Sequence, residues 1–289
     1  MTALLSRLTR DPRHYQMTVQ AILLFCGLAF LDFEIPPARA ALTLAAVAFA
    51  QWACTRLFTP ATPFEWRSAL ISGLSLCLLL RASSVWLVLA TALVTIASKF
   101  VLRWNGKHLF NPTCFGLVVM ILVSRDVWVS PGQWGHATLL AFAIGCLGSV
   151  VVTRAARADV TFAFLGAWAA ILFGRAAWLG QPWTTPIHMF TNGSILLFAF
   201  FMISDPRTSP DSRIGRVLFA ILVALGAGVV QFVLFRTNGP LWSLAACALL
   251  VPVIDRWLPG ARHLWTRDAA PSRSSKGTSH APPLVPARA

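Results

Sequence analysis

The sequence is poor in charged residues, and acidic ones are especially scarce. Charged side chains make up 12% of its 289 residues, against roughly 25% in soluble globular chains. Only 10 acidic residues stand against 24 Lys and Arg, while 57% of the chain is hydrophobic and the mean hydropathy is +0.69. A soluble domain of this size cannot hide so much apolar surface. The composition therefore excludes an ordinary soluble fold and indicates an all-α integral membrane protein.

Several signatures of catalysis and metal binding are also missing. The six cysteines include no CxxC pair, which argues against a zinc site or a disulfide framework and favours structural cysteines. We find no P-loop, no HExxH motif and no Ser-His-Asp arrangement. The sequence thus predicts no catalytic residue, no metal site and no self-contained active site, and it offers nothing for a hydrolase or an ATPase.

The apolar residues group into about ten stretches, separated by polar residues, Pro and Gly. The third, fifth and eighth stretches are too short to cross a bilayer, whose apolar core is about 30 Å thick, and are typical of half-helices or broken helices inside a protein-lined cavity. The predicted stretches are Met17–Phe33, Ala40–Phe58, Ser68–Leu80, Ser84–Val101, Thr113–Val123, Trp134–Val152, Val160–Trp178, Asn192–Ile203, Ile214–Phe235 and Leu241–Trp257.

The basic residues are distributed unequally between the two sides of this topology. A net charge of +14 would suggest nucleic acid for a soluble protein, but in a membrane protein it indicates cytoplasmic loops. Ten crossings with a cytoplasmic N-terminus place 19 basic residues inside and leave five outside: Arg39, Arg81, Arg125, Arg175 and Arg236. We therefore predict a multi-pass inner (plasma) membrane protein with both termini in the cytoplasm, a lipid bilayer as its partner, and no nucleic acid.

The third to fifth stretches resemble the eighth to tenth. Each set has a short helix, a break, a long helix and an Asn-Gly pair, and Asn105 and Asn238 lie 133 residues apart. A unit of five helices is odd in number, so the second copy would be inverted, with a site near the bilayer midplane where the copies meet. The predicted divisions are a cytoplasmic segment (1–16), two five-helix repeats (17–125 and 126–258) and a disordered cytoplasmic tail (259–289).

The first cluster of candidate site residues lies before the fifth stretch. Asn111 and Pro112 form a strong helix start, because Asn caps free backbone N–H groups and Pro fits the first turn. Lys99 and Lys107 add positive charge near this helix N-terminus, which favours an anionic group. Two interpretations remain open: a contact to phosphate or flavin, or an ordinary capped helix beside a basic loop.

The second cluster lies after the eighth stretch. Asp205 and Pro206 follow the apolar run and predict an unwound turn. The carboxylate is a candidate to bind a cation, to pair with Arg207 or Lys99, or simply to cap the turn. Carboxylates at membrane depth are functional candidates by default.

These two clusters carry a resemblance to a known family. Residues 109–116 (LFNPTCFG) resemble the FNPA-type motif of Rnf D and Nqr B subunits, and residues 198–210 (FAFFMISDPRTSP) are similar to the family's AFFMATDPVTSP signature. The resemblance covers most of residues 65–257. It implies ten helices in inverted repeats of five, and a membrane subunit of an ion-pumping electron-transfer complex, with other membrane redox subunits as partners.

The resemblance also implies a flavin, FMN or riboflavin. Family members attach FMN to a threonine, but here the nearest string, residues 135–138 (GHAT), lacks the preceding Asp, so Thr138 is a degenerate acceptor. The chain is therefore similar to a short branch without the covalent-FMN motif, and a flavin would be held noncovalently. The alternative is a stand-alone inverted-repeat transporter of a small solute with no redox role.

Overall fold

The computed structural model describes residues 11–30, 33, 35–130 and 138–263, without the side chains of residues 138–141. Twelve α-helices lie in these ranges: α1 (Pro12–Phe30), α2 (Pro37–Phe58), α3 (Trp66–Leu79), α4 (Val85–Val101), α5 (Pro112–Val123), α6 (Thr138–Arg154), α7 (Ala158–Leu179), α8 (Thr184–Phe190), α9 (Gly193–Leu197), α10 (Arg213–Phe232), α11 (Gly239–Ala248) and α12 (Val251–Trp257). A π-helical turn, Phe198–Met202, continues α9. Four short strands are β1 (Leu80–Ala82), β2 (Arg103–Trp104), β3 (Lys107–His108) and β4 (Val127–Val129).

The helices have the lengths and composition of a multi-pass membrane protein. In the described ranges α2, α7 and α10 are long and apolar enough to cross a bilayer, and two bent pairs raise the number of candidate spans to five. Helices α3, α4 and α5, with residues 142–154 of α6, are apolar but shorter. Each predicted stretch overlaps a helix. The count of ten crossings, the orientation of the termini and the domain divisions stay predictions, and the predicted tail from residue 264 on lies outside the described residues.

The short helices α3 and α5 end side by side. Strand β1 follows α3, strand β4 follows α5, and the two strands pair antiparallel, with Leu80 opposite Val129. Helix α5 has only 12 residues, or about 18 Å at 1.5 Å per residue, so it covers little more than half of the apolar core. Where α3 and α5 stop, the β1–β4 pair supplies backbone hydrogen bonds, which a backbone inside a bilayer requires.

The structure differs from the predicted stretches at two breaks. The eighth stretch was expected to begin at Asn192, but α8 precedes it and meets α9 at a bend of 44°. The tenth stretch was expected to be continuous, but α11 and α12 form a bend of 53°. Pro252 explains the second break, because it lacks an N–H and its ring clashes with the carbonyl of Ala248, four residues earlier.

The N-terminal and C-terminal halves of the described chain meet near the starts of the short helices α5 and α9. In the first half α2 packs on α3 and α4, and α4 on α5; in the second half α10 packs on α7 and α11. Asn105 and Asn238, the two matched Asn residues, both adopt left-handed backbone conformations, with φ of 49° and 60°. Asn111 caps α5 and Asn192 caps α9. These correspondences agree with a repeat, while the inversion remains a prediction.

Candidate functional site

The Asn111 side chain joins the start of α5 to the second half of the chain. Its Oδ1 accepts a hydrogen bond from the backbone N–H of Cys114 at 3.0 Å, and its Nδ2 donates one to the carbonyl oxygen of Met202 at 3.2 Å. Pro112 follows in the first turn. Nearby, the Cys114 thiol contacts the carbonyl oxygen of Leu241 on α11 at 3.3 Å. The predicted cap is therefore present, and it also ties α5 to the end of the π-helical turn.

Lys99 occupies a buried position in the last turn of α4. Its side chain donates to the backbone oxygen of Ser68 at 2.9 Å and to the Ser68 hydroxyl at 3.0 Å, and the residue is only 4% exposed. An ammonium has three protons, and these two bonds use two of them. Lys99, Asn111 and Asp205 line one small cavity, of about 60 Å³, which we call the Lys99 cavity. Its other described lining residues are Arg13, Gln16, Ser68, Ile71, Ser72, Ser75, His108, Pro112, Thr113, Phe201 and Arg207.

Asp205 holds the turn after the π-helical segment. Its Oδ1 accepts from the backbone N–H of Arg207 at 3.0 Å, and its carbonyl oxygen accepts from Ser209 N–H at 3.0 Å. Among the described residues no cation lies within 4 Å of its carboxylate, so of the three open alternatives the pairing with Lys99 or Arg207 is not formed. The hydrogen bond from the Arg207 N–H is the capping contact. Pro206 is buried in the same turn.

Burial shifts the protonation of Asp205. The residue keeps some accessible surface, but its carboxyl group lies deep among protein atoms, and this burial raises its pKa above the ordinary value. The Arg207 N–H bond and the charges of Arg207, Lys99 and Arg157 act in the opposite direction without cancelling it. The Asp205 carboxyl therefore keeps its proton to a higher pH than a free aspartate does.

His108 lies on β3 and contributes an uncharged ring to the cavity. Burial, followed by the charges of Arg207, Lys99 and Arg103, lowers its pKa to about 3, so the imidazole is neutral at pH 7. Its Nε2 lies 3.3 Å from the Arg207 guanidinium, which can only donate, so Nε2 accepts and the ring proton sits on Nδ1. The neutral ring thus adds no charge to a cavity that already holds Lys99.

Lys107 is held apart from this cavity. Its ammonium lies 3.0 Å from Asp211 and 2.9 Å from Asp255, and the other oxygen of Asp255 accepts from the Asp211 N–H at 2.8 Å. These three residues, the Lys107 triad, connect β3 to the loop before α10 and to α12. Lys107 is thus engaged by two carboxylates, whereas the sequence placed it beside Lys99 as a partner of an anionic cofactor.

Thr138 is the last of the predicted site residues, and three serines of α3 were not predicted. Thr138 is the first residue of α6, its side chain lies outside the described atoms, and the GHAT string before it lies outside the described residues. No group of three or more His, Cys, Asp or Glu that could hold a metal occurs in the described ranges. The sequence missed Ser68, Ser72 and Ser75, whose spacing of three and four residues places them on one face of α3 and could have revealed a polar face.

Replacing Asn111 separates its two contacts. Asn111→Ala loses the helix cap, which contributes about 1 kcal/mol, and the bond to Met202, which contributes a similar amount. Asn111→Ser keeps a capping oxygen and loses only the bond to Met202. Thermal unfolding of the purified protein should therefore rank wild type, Ser and Ala in decreasing stability. Equal stability of the Ser and Ala variants would show that the cap contributes nothing.

Comparison with known proteins finds a family model and curated relatives that resemble this chain. Residues 125–262 match the NQR2, RnfD, RnfE family. Relatives include proteins named as the D component of the ion-translocating oxidoreductase complex, from Pseudomonas paraeruginosa (27% identity; 65% of this chain and 72% of the relative) and Halorhodospira halophila (25%; 71% and 77%). A relative of the same name from Stutzerimonas stutzeri is 45% identical over 71 residues, covering 23% of this chain and 19% of its own length.

The matched region contains the Asp205 turn, the Lys107 partners and α7 to α12, while the longer alignments cover most of the chain. The helices that form the Lys99 cavity come from both the matched region and the part before it. The family match over residues 125–262 and these relatives together support a protein of the Rnf D/Nqr B type, similar to the NQR2, RnfD, RnfE family.

Proposed function

We propose that this protein is the D-type membrane component of an ion-translocating oxidoreductase complex in the bacterial inner membrane, with both termini in the cytoplasm and other membrane redox subunits as its partners. The relatives that bear this name align with it over 72% and 77% of their own lengths. Their shared name favours this role over the alternative, a stand-alone transporter of a small solute.

Within that role, the Lys99 cavity is the candidate ion-handling site. It lies between the two halves, where Asn111 meets Met202. Ionisable residues buried at membrane depth are costly and mark ion or proton pathways. Here the buried Lys99 side chain and an Asp205 carboxyl that forms no ion pair among the described residues line the same cavity, so a proton or a small ion meets both a nitrogen and a carboxyl oxygen there. The presence of Lys99 and Asp205 in one cavity is the observation that carries the proposal.

The size of the cavity decides what it can hold. A cavity needs about 10–15 Å³ to hold one buried water. The Lys99 cavity, with about 60 Å³, therefore accommodates a few waters or a hydrated ion. Pockets for organic ligands of drug size measure about 300–1,000 Å³. The predicted flavin cluster (Lys99, Lys107, Asn111, Pro112, Asp205 and Pro206) therefore does not fit an isoalloxazine ring, and Lys107 is already engaged by two carboxylates. We assign no step to a flavin here.

Substitution of Lys99 tests the proposal. In Lys99→Met the apolar chain stays and the buried charge goes, so the protein should accumulate normally and be as stable as wild type or more so. Ion uptake driven by electron transport in membrane vesicles should fall by about 10-fold or more, since a contact to a charged group contributes about 1.5–3 kcal/mol. Arg56→Met, at an exposed residue of α2, removes the same charge and should leave uptake unchanged.

Asp205→Asn provides the second half of the test. Asn keeps an oxygen for the Arg207 N–H, so the turn should persist while the titratable group disappears. Uptake should fall while the protein continues to accumulate and to co-purify with other redox subunits. Wild-type uptake in both variants would remove the ion-handling role from this cavity, and failure of Asp205→Asn to accumulate would leave only the capping role. Absence of co-purifying redox subunits would contradict membership of a complex.

A further inference from the structure

A second cavity, of about 170 Å³, lies beside strand β1 at the end of α3. Its walls come from α2, α3, α4 and β4 as well as from β1, and it shares no lining residue with the Lys99 cavity. Three of its lining residues are accessible: Ser83 is exposed, Arg39 is half-buried and Trp128 is 45% exposed. The cavity, which we call the Arg39 cavity, therefore reaches the surface of the protein.

Two residues that line this cavity carry positive charge. Arg39 Nη1 donates to the carbonyl oxygen of Ala82 at 2.7 Å, and Arg81 Nη1 donates to the carbonyl oxygen of Leu80 at 2.9 Å. Ala82 and Leu80 line the cavity too, so both guanidinium groups lie at its wall. The predicted topology leaves only five basic residues on the outer side of the membrane, and these are two of them. Because basic residues are scarce on that side of membrane proteins, two in one cavity indicate a function for their charge.

Arg39 retains hydrogen-bonding capacity for a ligand. A guanidinium has five N–H donors in a planar fork that matches the geometry of phosphate. The carbonyl oxygen of Ala82 uses one of them, and no carboxylate of the described residues lies within 4 Å of Arg39. Arg81 is buried, and its bonds to the carbonyl oxygens of Cys77 and Leu80 hold it in place. The other N–H groups of Arg39 can therefore bind an anionic group at the cavity wall.

The rest of the wall is apolar and carries the marks of the membrane interface. Trp128 lines the cavity, and Trp86, two residues before the lining residue Val88, is 78% exposed. Tryptophans are enriched at the membrane–water interface, the level of the lipid head groups. The volume lies below the roughly 300–1,000 Å³ of pockets that enclose drug-sized ligands, so it suits a head group and not a whole lipid. The remaining apolar lining residues are Ile35, Leu76 and Leu80.

We propose that the Arg39 cavity binds the phosphate of an anionic phospholipid, with the Arg39 guanidinium as the donor and the acyl chains on the apolar surface outside. Guanidinium and phosphate form charge-assisted, bidentate hydrogen bonds, and basic pockets between membrane helices are typical sites for lipid head groups. Inorganic phosphate shares this chemistry but would make no use of the apolar wall or of the interfacial tryptophans. The inference does not depend on the proposed ion-handling role.

Lipid binding to the purified full-length protein in detergent tests this proposal, with native mass spectrometry as the measurement. Phosphatidylglycerol is the anionic probe, and phosphatidylcholine is the control lipid whose phosphate carries a positive choline group. We expect a saturable phosphatidylglycerol site that binds phosphatidylcholine about 5-fold or more weakly, because one added positive charge is repelled by the arginines. Equal affinity for the two lipids, or no saturable site, would overturn the proposal. Calorimetric titration with inorganic phosphate tests the other source: saturable binding that displaces phosphatidylglycerol would overturn the lipid assignment.

Variants assign the lipid to this cavity. Arg39→Gln removes the charge and the fork, so the affinity for phosphatidylglycerol should fall by about 10-fold or more, the effect of a hydrogen bond to a charged group. Arg236→Gln, at an exposed residue that the predicted topology places on the same side, is the matched control and should bind like wild type. If Arg39→Gln does not accumulate, Arg39→Lys keeps the charge but loses the fork, and it should weaken binding by about 2- to 12-fold. Unchanged affinity in the variant that accumulates would overturn the assignment.

Discussion

Lys107→Met is expected to lower the free energy of unfolding by about 2–4 kcal/mol. One ammonium lies within 3.0 Å of two carboxylates, and the three side chains are only 11–20% exposed. Removal of the cation leaves the negative charges of Asp211 and Asp255 close together and poorly solvated. Breaking a buried ion pair typically costs 3–5 kcal/mol, and the partial exposure of this triad reduces the figure. Thermal or denaturant unfolding of the purified protein measures the loss.

A second substitution distinguishes charge from packing at this triad. In Lys107→Met/Asp255→Asn one of the two negative charges is gone, while the Asn oxygen can still accept from the Asp211 N–H. We expect the double variant to be more stable than Lys107→Met alone, which is the signature of coupling between neighbouring sites. If the double variant loses at least the sum of the two single losses, charge repulsion is not the cause of the instability.

Gly116→Ala is expected to destabilise the protein by about 1–3 kcal/mol, although alanine is the better helix former. A Cβ on Gly116 would overlap Thr95 Oγ1 and lie 3.0 Å from Thr95 Cβ and 3.2 Å from its Cα. Because the last of these is a backbone atom, α4 and α5 would have to separate. These helices carry Lys99 and Asn111, so ion uptake should fall together with stability.

The controls for this prediction come from the chain itself. Gly166 on α7 has nothing within 4 Å of an added Cβ, so Gly166→Ala should be neutral or stabilise by up to about 1 kcal/mol. Thr95 Oγ1 is buried without a hydrogen-bond partner in the described ranges, so Thr95→Ala should cost little. Adding Thr95→Ala to Gly116→Ala removes the most severe overlap, with Oγ1, and should restore part of the stability, while the contacts to Thr95 Cβ and Cα remain. If it restores none, the overlap with Thr95 does not explain the loss.

Much of the local structure followed from the sequence. The stretch Ala40–Phe58 was predicted as a helix, and α2 spans Pro37–Phe58; Thr113–Val123 was predicted, and α5 spans Pro112–Val123. The cap at Asn111 and the turn at Asp205 also follow from local chemistry, since a capping oxygen and its N–H groups lie within three residues of each other. Helix α8 was missed because Thr, Pro and His break the apolar pattern over residues 184–190.

The sequence alone was less informative about the partners of charged side chains. It grouped Lys107 with Lys99 because they lie near each other along the chain, yet the carboxylates that hold Lys107 are 104 and 148 residues away. Partner choice of this kind depends on which helices pack together, and hydropathy does not contain that information.

The sequence by itself determined the class of protein, the positions of most helices, the caps and turns at Asn111 and Asp205, and the resemblance to the Rnf D and Nqr B subunits. These depend on composition and on contacts within a few residues. Tertiary structure alone decided that Lys99 shares a cavity with Asp205 and that Lys107 is held by two carboxylates. Each of these arrangements requires helices from distant parts of the chain to pack together. Burial then makes the charge of a single side chain important for stability or function.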